Sequence, residues 1–256
     1  MTDISAKTVM ELRNKTGVSM MQCKKALVEA GGDLEAATDI LRKAGAKKAD
    51  KKSDRATGEG AIAVSGRAAV SIYCETDFVA RNDDFLALLA LLAELAASEG
   101  ATAAAEKFEA VRTDYVTKLG ENLAFGEAVV LENGATAGDY LHSNRKLAAI
   151  VTVDGGNEDL ARDLAMHVVA NNPQVISPDE VSDELVAQEK EIWAEQLKNE
   201  GKPAEIIDKI MLGKEKKFRE ESALIKQPFV KDPETTVEDL LKQHGATIAA
   251  FARLAV

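Results

Sequence analysis

The hydrophobic pattern of this chain changes its period at Gly60, and that change limits the folds open to it. Before Gly60, apolar residues recur at helical spacing in three segments separated by glycine. After it, two apolar runs at 61–64 and 69–74 flank a turn at 65–67, which is the pattern of a β-hairpin. Helical patterns and further strands then alternate irregularly. This order predicts an α+β protein rather than a doubly wound sheet.

The segment 4–45 predicts a bundle of three short helices of the ubiquitin-associated type. Ser19 and Gln22 have the capping-box spacing at the start of the second helix. The third helix is expected to stop at Gly45, because glycine easily adopts the backbone conformation that ends a helix. A bundle this small often works by docking onto a partner.

The rest of the chain predicts a mixed core with an inserted helical hairpin. A long helix is expected to open at Pro178, and a turn at 200–203 joins it to a second helix, which gives an antiparallel pair. The apolar tail 248–256 is expected to return to the sheet. The remaining core elements are predicted as strands at 128–131 and 147–153 and helices at 83–98, 105–120 and 157–170.

These elements divide the chain into four predicted parts. They are a three-helix docking domain with its linker (1–55), the first core subdomain (56–140), the second core subdomain (141–179 and 222–256) and the helical hairpin (180–221).

The distribution of charge argues against some classes of function. The net charge is −11, and it is divided into +4 over residues 1–55 and −15 over the remainder. A protein this acidic is a poor candidate for direct nucleic-acid binding. A basic head on an acidic body suggests two modules that touch different surfaces of a partner, although two ordinary solvated faces would give the same charges.

The chain also lacks the patterns of a secreted or membrane protein. No signal-peptide pattern is visible, and the longest nearly apolar run, 85–97, is too short to span a bilayer. A cytoplasmic protein with reduced Cys23 and Cys74 is therefore expected, without a membrane partner.

Signals for catalysis are weak. A loose glycine pattern at 58–63 precedes a strand instead of following one, and no Walker A motif or pair of Cys-x-x-Cys motifs occurs. His142, His167 and His244 do not have metal-ligand spacing. We therefore expect no metal, no cofactor and no enzyme activity, and each histidine has a structural interpretation beside the functional one.

The segment 76–82 is the best candidate site. It follows the strand 69–74 directly, and Asn82 or Asp83 can cap the next helix. Asp77 and Phe78 therefore lie together at a strand-to-helix corner, a place where binding residues are common. The alternative is that Phe78 turns into the core and Asp77 only forms the turn.

Two motifs connect the chain to a known family. Thr76-Asp77-Phe78-Val79-Ala80, with the segment 20–27 (MMQCKKAL) upstream, resembles the elongation factor Ts family over nearly the whole chain. The resemblance implies a guanine nucleotide exchange factor in protein biosynthesis. Such a protein binds elongation factor Tu with GDP, disturbs the magnesium and phosphate site, promotes GDP release and stays bound until GTP binds.

The same resemblance assigns roles to the corner. It implies that Phe78 enters between helices of the GTPase and that Asp77 disturbs the contacts holding its magnesium ion. Thr76 and Val79 would fix the corner.

The resemblance also assigns partner-docking positions outside the corner. They are Met20, Met21 and Lys24 on the second helix and His142 and His167 in the second half of the core. One of the two methionines is expected to pack inside the bundle instead. The helical hairpin corresponds to a coiled coil in the family, and a two-to-two complex with elongation factor Tu remains open.

Two other classes of function compete with this interpretation. An adaptor for ubiquitin-like partners would use the three-helix head, but it would not need the acidic α+β body. An α+β enzyme would use Asp77 with His142 or His167 as acid and base, and it would need these residues in one concave pocket.

Overall fold

The computed structural model describes residues 4–199 and 204–256 of the chain. It is an α+β protein, as the sequence predicts. It contains two compact units: residues up to 130 with 143–146 and 254–256, and residues 131–142 with 147–253. The predicted turn at 200–203 lies outside the described residues. None of the helices in the described ranges is long and apolar enough to cross a membrane.

The first unit begins with three helices, α1 (Ala6–Thr16), α2 (Met20–Glu29) and α3 (Leu34–Asp50). Ser5 caps α1 and Asp33 caps α3 by accepting hydrogen bonds from backbone amides. Ser19 lies at the cap position of α2, but its side chain does not make the predicted capping bond. The buried side chains of the bundle include Leu12, Cys23, Leu27 and Leu41.

The third helix continues past Gly45, where the sequence predicts a stop. The reason is packing: Gly45 is buried, and a Cβ atom built at this position would meet the Thr117 side chain. Thr117 lies on a later helix, α6 (Ala101–Leu119). The glycine therefore allows two helices to approach closely instead of ending one of them.

The core of the first unit is a three-stranded antiparallel sheet covered by helices. Along the chain its elements are β1 (Glu59–Ser65), β2 (Ala68–Cys74), α4 (Asp77–Ala80), α5 (Asp83–Glu99), α6 (Ala101–Leu119) and β3 (Leu123–Val130). The strand order is β1-β2-β3, and the β1–β2 hairpin is confirmed. Phe85, Leu89, Leu92 and Phe108 are fully buried between the helices and the sheet.

The second unit is built on a three-stranded sheet, in which the strand at the end of the chain, β8 (Thr247–Ala255), follows β4 and β5 in the order β4-β5-β8. It starts with β4 (Thr136–Leu141), β5 (Leu147–Asp154) and α7 (Glu158–Asn171), and α7 packs on the first two strands. The sequence did not predict β4. A cluster that includes Val151, Leu164, Val168 and Phe229 forms its core.

A helical hairpin follows, made of α8 (Asp183–Asn199) and α9 (Ala204–Ser222). Pro178 does not open the first helix, because residues 178–180 form a separate 3-10 turn before it. Ion pairs join Lys190 to Glu215 at 2.6 Å and Asp183 to Arg219 at 2.7 Å, so the helices run antiparallel. The chain then forms β6 (Pro228–Phe229), β7 (Asp232–Thr236), α10 (Val237–His244) and β8 (Thr247–Ala255). The return of the tail to the sheet is confirmed.

Candidate functional site

The segment 76–79, which we call the corner, projects one aromatic side chain into solvent. Thr76 is extended, and its hydroxyl accepts a hydrogen bond from Val79 N at 3.4 Å, which starts the single turn of α4. Phe78 is 83% exposed, whereas Val79 is buried. The alternative in which Phe78 turns inward is therefore wrong, and Val79 with the following Ala80 anchors the turn in the core.

Asp77 lies beside Phe78 on an open face. Its carboxylate is half-exposed and pairs with Arg81 at 3.3 Å, one helical turn further on. Asp77 and Arg81 line an open cleft of about 560 Å³, and segments 59–60 and 143–146 also contribute to its lining. Because exposed ion pairs hold their partners weakly, Asp77 can exchange Arg81 for another cation at small cost.

A carboxylate from a distant part of the sequence holds the corner from behind. Glu121 Oε1 accepts a hydrogen bond from the Thr76 hydroxyl at 2.6 Å. Its Oε2 accepts from Thr76 N at 3.0 Å and from Glu75 N at 3.1 Å. The chain direction at the end of β2 is therefore fixed by three hydrogen bonds to one side chain.

The neighbouring Asn122 extends this polar network. It is buried, and its backbone N–H donates to Glu75 Oε1 at 2.7 Å. Its side-chain oxygen accepts from Arg112 at 2.8 Å, and its side-chain nitrogen donates to the carbonyl oxygens of Ser53 and Arg55. Every hydrogen-bonding atom of the amide is thus used, which gives a rigid junction.

Cys74 adds one more tie to the corner. Its thiol donates to the Thr76 carbonyl oxygen at 3.2 Å. Burial, followed by the negative charge of Glu121, raises the pKa of the Cys74 thiol to about 12. At neutral pH the sulfur stays protonated, so it serves as a hydrogen-bond donor and not as a nucleophile.

Met20, Met21 and Lys24 form an exposed surface on α2, which we call the docking surface. Met21 is 76% exposed and Met20 is 38% exposed. The expectation that one of them packs inside the bundle is wrong, because Cys23 and Leu27 occupy the core-facing positions. Val28 also belongs to this face, although no sequence motif indicates it: it is exposed and lies one turn after Lys24.

His142 and His167 have different surroundings. His142 is half-buried just after β4, and its Nδ1 lies 3.3 Å from the Tyr140 hydroxyl. His167 is fully buried on α7, with Nε2 bonded to Gln227 Oε1 at 2.9 Å and Nδ1 accepting from Val230 N at 3.2 Å. Its side chain offers no surface to a partner and no free nitrogen for proton transfer. The prediction that His167 docks a partner directly is at odds with this position.

The buried imidazole predicts a loss of stability in mild acid. Burial lowers the pKa of His167 below the ordinary value of 6.5, and the hydrogen bond that its Nε2–H donates to Gln227 offsets part of the effect. As the pH falls below about 6.5, the His167 imidazole therefore binds a proton in the unfolded chain but not in the folded protein. The free energy of unfolding, measured in urea from about pH 7.5 to about pH 5.5, is expected to decrease.

The control for this prediction is the exposed His244. The His167→Gln protein should lose the decrease, and the His244→Gln protein should keep it. An equal pH dependence in both variants would show that His167 does not cause it.

The described ranges give little support to a metal site. No group of three or more histidine, cysteine, aspartate or glutamate side chains there could hold a metal ion. The corner and the docking surface each combine exposed apolar side chains with a neighbouring charged side chain. This combination is typical of protein–protein contacts.

Comparisons with known proteins agree with the sequence motifs. Residues 75–256 match the sequence model of the family described as Elongation factor TS. The chain is 45% identical to Elongation factor Ts of Saccharophagus degradans over 99% of its own length and 91% of that protein. It is 46% identical to Elongation factor Ts of Francisella tularensis subsp. novicida and 43% identical to that of Hahella chejuensis. Both alignments cover all of this chain and 93% of the relative.

Proposed function

The chain belongs to the elongation factor Ts family, and from this we propose that it is the nucleotide exchange factor of elongation factor Tu in translation elongation. In this proposal it binds the GDP form of the GTPase and promotes GDP release. It then stays bound until GTP binds. It does so without chemistry of its own.

The observation that carries the proposal is the exposure of Phe78 on a corner held by Glu121. A phenyl ring that is 83% exposed gains free energy when a partner buries it. Because the backbone beneath it is already fixed by hydrogen bonds, little ordering cost opposes that gain. The corner is therefore suited to enter an apolar crevice of the GTPase.

Exchange follows from this contact if the crevice opens only when nucleotide leaves. A factor that binds the nucleotide-free GTPase more tightly than the GDP form must weaken GDP binding by the same ratio. Burial of Phe78 supplies the difference in free energy, provided the crevice is closed while GDP is bound.

Asp77 gives the corner a second effect. GTPases of this class hold a magnesium ion that neutralises the charge of the nucleotide phosphates. A half-exposed carboxylate brought to that site would compete for the ion and for the polar groups that hold it. We therefore assign the apolar contact to Phe78 and the electrostatic disturbance to Asp77, with Thr76 and Val79 as supports.

We assign initial docking to the surface formed by Met20, Met21 and Lys24. Flexible methionine side chains adapt to a partner surface, and the lysine adds a charge. The Met21→Ala/Lys24→Ala protein is expected to need a higher concentration for half-maximal exchange, with the same maximal rate. A titration measures both quantities, and a lower maximal rate at unchanged half-saturation would contradict a docking role.

The direct test of the proposal is release of a fluorescent GDP analogue from purified elongation factor Tu. Release should accelerate with the concentration of this protein until it saturates, and this protein alone should hydrolyse no GTP. If release at saturating protein equals the intrinsic rate, the proposed function is wrong.

A further inference from the structure

We propose that Glu121 is the positioning residue of the exchange site, which presents Phe78 to the GTPase without touching it. The inference rests on the exchange function proposed above. Glu121 lies 45 residues after Thr76 in the sequence, and no motif links the two. Its carboxylate nevertheless accepts hydrogen bonds from Glu75 N, Thr76 N and the Thr76 hydroxyl.

The corner needs such an external support because it cannot hold its own shape. The helix α4 has only four residues, which is far too short to be stable by itself. Phe78 points into solvent, so its own side chain does not anchor the turn in the core. Val79 and Ala80 pack below, but both lie in the second half of the turn and leave the direction in which the chain enters it free. The bonds from Glu121 fix that direction at the last two residues before the turn.

The chemistry of the three bonds suits this role. A carboxylate has lone pairs for several donors, and charge-assisted hydrogen bonds are shorter and stronger than neutral ones. The 2.6 Å bond to the Thr76 hydroxyl has the length expected of this class. Thr76 Oγ1 in turn accepts from Val79 N, so one chain of hydrogen bonds runs from Glu121 through Thr76 into α4.

The turn that carries Glu121 is itself held on its other side. Lys52, just after α3, donates to the Gly120 carbonyl oxygen. The Asn122 side chain donates to the carbonyl oxygens of Ser53 at 3.2 Å and Arg55 at 2.9 Å. Residues 120–122 therefore connect the segment that follows the three-helix bundle to the corner.

Removal of the carboxylate should impair exchange and leave docking intact. For Glu121→Ala, we expect the maximal rate of GDP release to fall roughly tenfold, which corresponds to about 1.4 kcal/mol. The half-saturating concentration should change little, because the docking surface on α2 is untouched. Partial unfolding alone would have the opposite signature: it lowers the concentration of active protein, so it raises the apparent half-saturation and leaves the maximal rate unchanged.

Two further variants separate positioning from other effects. Glu121→Gln retains the shape, and its amide can still bond the two backbone N–H groups and the threonine hydroxyl, so most of the rate should return. Glu109→Ala removes an exposed carboxylate from α6 roughly three helical turns earlier and should exchange as the unmodified protein does.

A double-mutant cycle tests whether Glu121 acts through Phe78. If it does, adding Glu121→Ala to Phe78→Ala should cost little more than Phe78→Ala alone. Full additivity of the two losses would overturn the proposal, and so would a normal maximal rate for Glu121→Ala.

The remaining outcomes are also decisive. If Glu121→Ala does not fold by circular dichroism, Thr76→Val breaks the same hydrogen bond from the other side. A normal maximal rate for that variant would overturn the proposal, and a reduced rate would support it. Failure of the unmodified protein to accelerate GDP release would instead refute the exchange function itself, so the two failures are distinguishable.

Discussion

The Phe78→Ala protein is expected to bind elongation factor Tu more weakly and to release GDP more slowly, by about 2–4 kcal/mol for a central aromatic anchor. This corresponds to a loss of about 30- to 1,000-fold in rate at subsaturating concentration. The reason is that Phe78 contributes little to the fold: its ring is 83% exposed, so truncation removes partner contact and little core packing. Release of a fluorescent GDP analogue and the affinity for nucleotide-free elongation factor Tu are the two measurements.

The matched control is Leu91, another exposed apolar side chain in the same unit. Leu91→Ala removes a similar exposed group from α5 and should leave both measurements unchanged. An unchanged exchange rate for Phe78→Ala would mean that the corner is not the site of exchange. The unfolding midpoint of the Phe78→Ala protein should equal that of the unmodified protein.

The Asp77→Asn protein separates charge from shape at the same corner. The substitution removes the charge and keeps the size, so the complex with elongation factor Tu should still form. Its deficit in GDP release should shrink when a chelator removes magnesium, because the ion that Asp77 helps to dislodge is then absent. Asp83→Asn, an exposed carboxylate in the first turn of α5, is the control. A deficit that is the same with and without magnesium would refute the role of Asp77.

Local sequence rules were sufficient for the hairpin and the helix on either side of the corner. Asn82 accepts a hydrogen bond from Asp84 N and caps α5, which is one of the two predicted alternatives. The hairpin before the corner follows from two apolar runs around a glycine turn. Such features depend on residues only a few positions apart, so a single sequence contains the information.

Long-range packing explains what the sequence could not predict. Gly45 looks like a helix stop until α6 is placed beside it, and Glu121 has no local signature that connects it to Thr76. The family resemblance assigns His167 to docking, although its ring lies in the core with both nitrogens bonded. In each case the deciding partner is tens of residues away. Periodicity and capping rules do not report such contacts.

The strand β4 is a further example, and it gives the second large expected effect. Its sequence includes Gly138 and Asp139, two residue types that are depleted in strands, so the pattern does not indicate a strand. The structure shows why the glycine is there. Gly138 is buried and pairs with Val151 of β5, and its Cα faces the backbone of α7 at Ala161 and Arg162.

The Gly138→Ala protein is therefore expected to lose roughly 3 kcal/mol of stability, the upper end of the range for overpacking. A Cβ atom at this position would overlap backbone atoms of α7, and backbone cannot rotate away as a flexible side chain can. Either α7 moves off the sheet or β4 bends. Urea unfolding followed by circular dichroism measures the loss.

The control is Gly213→Ala on α9. A Cβ atom there meets nothing within 4 Å, and alanine is the better helix former, so stability should stay equal or rise by at most about 1 kcal/mol. The same chemical change is thus expected to destabilise the protein at Gly138 and not at Gly213, although both positions lie in the second unit. If Gly138→Ala unfolds at the same urea concentration as the unmodified protein, α7 does not pack on β4 as closely as described.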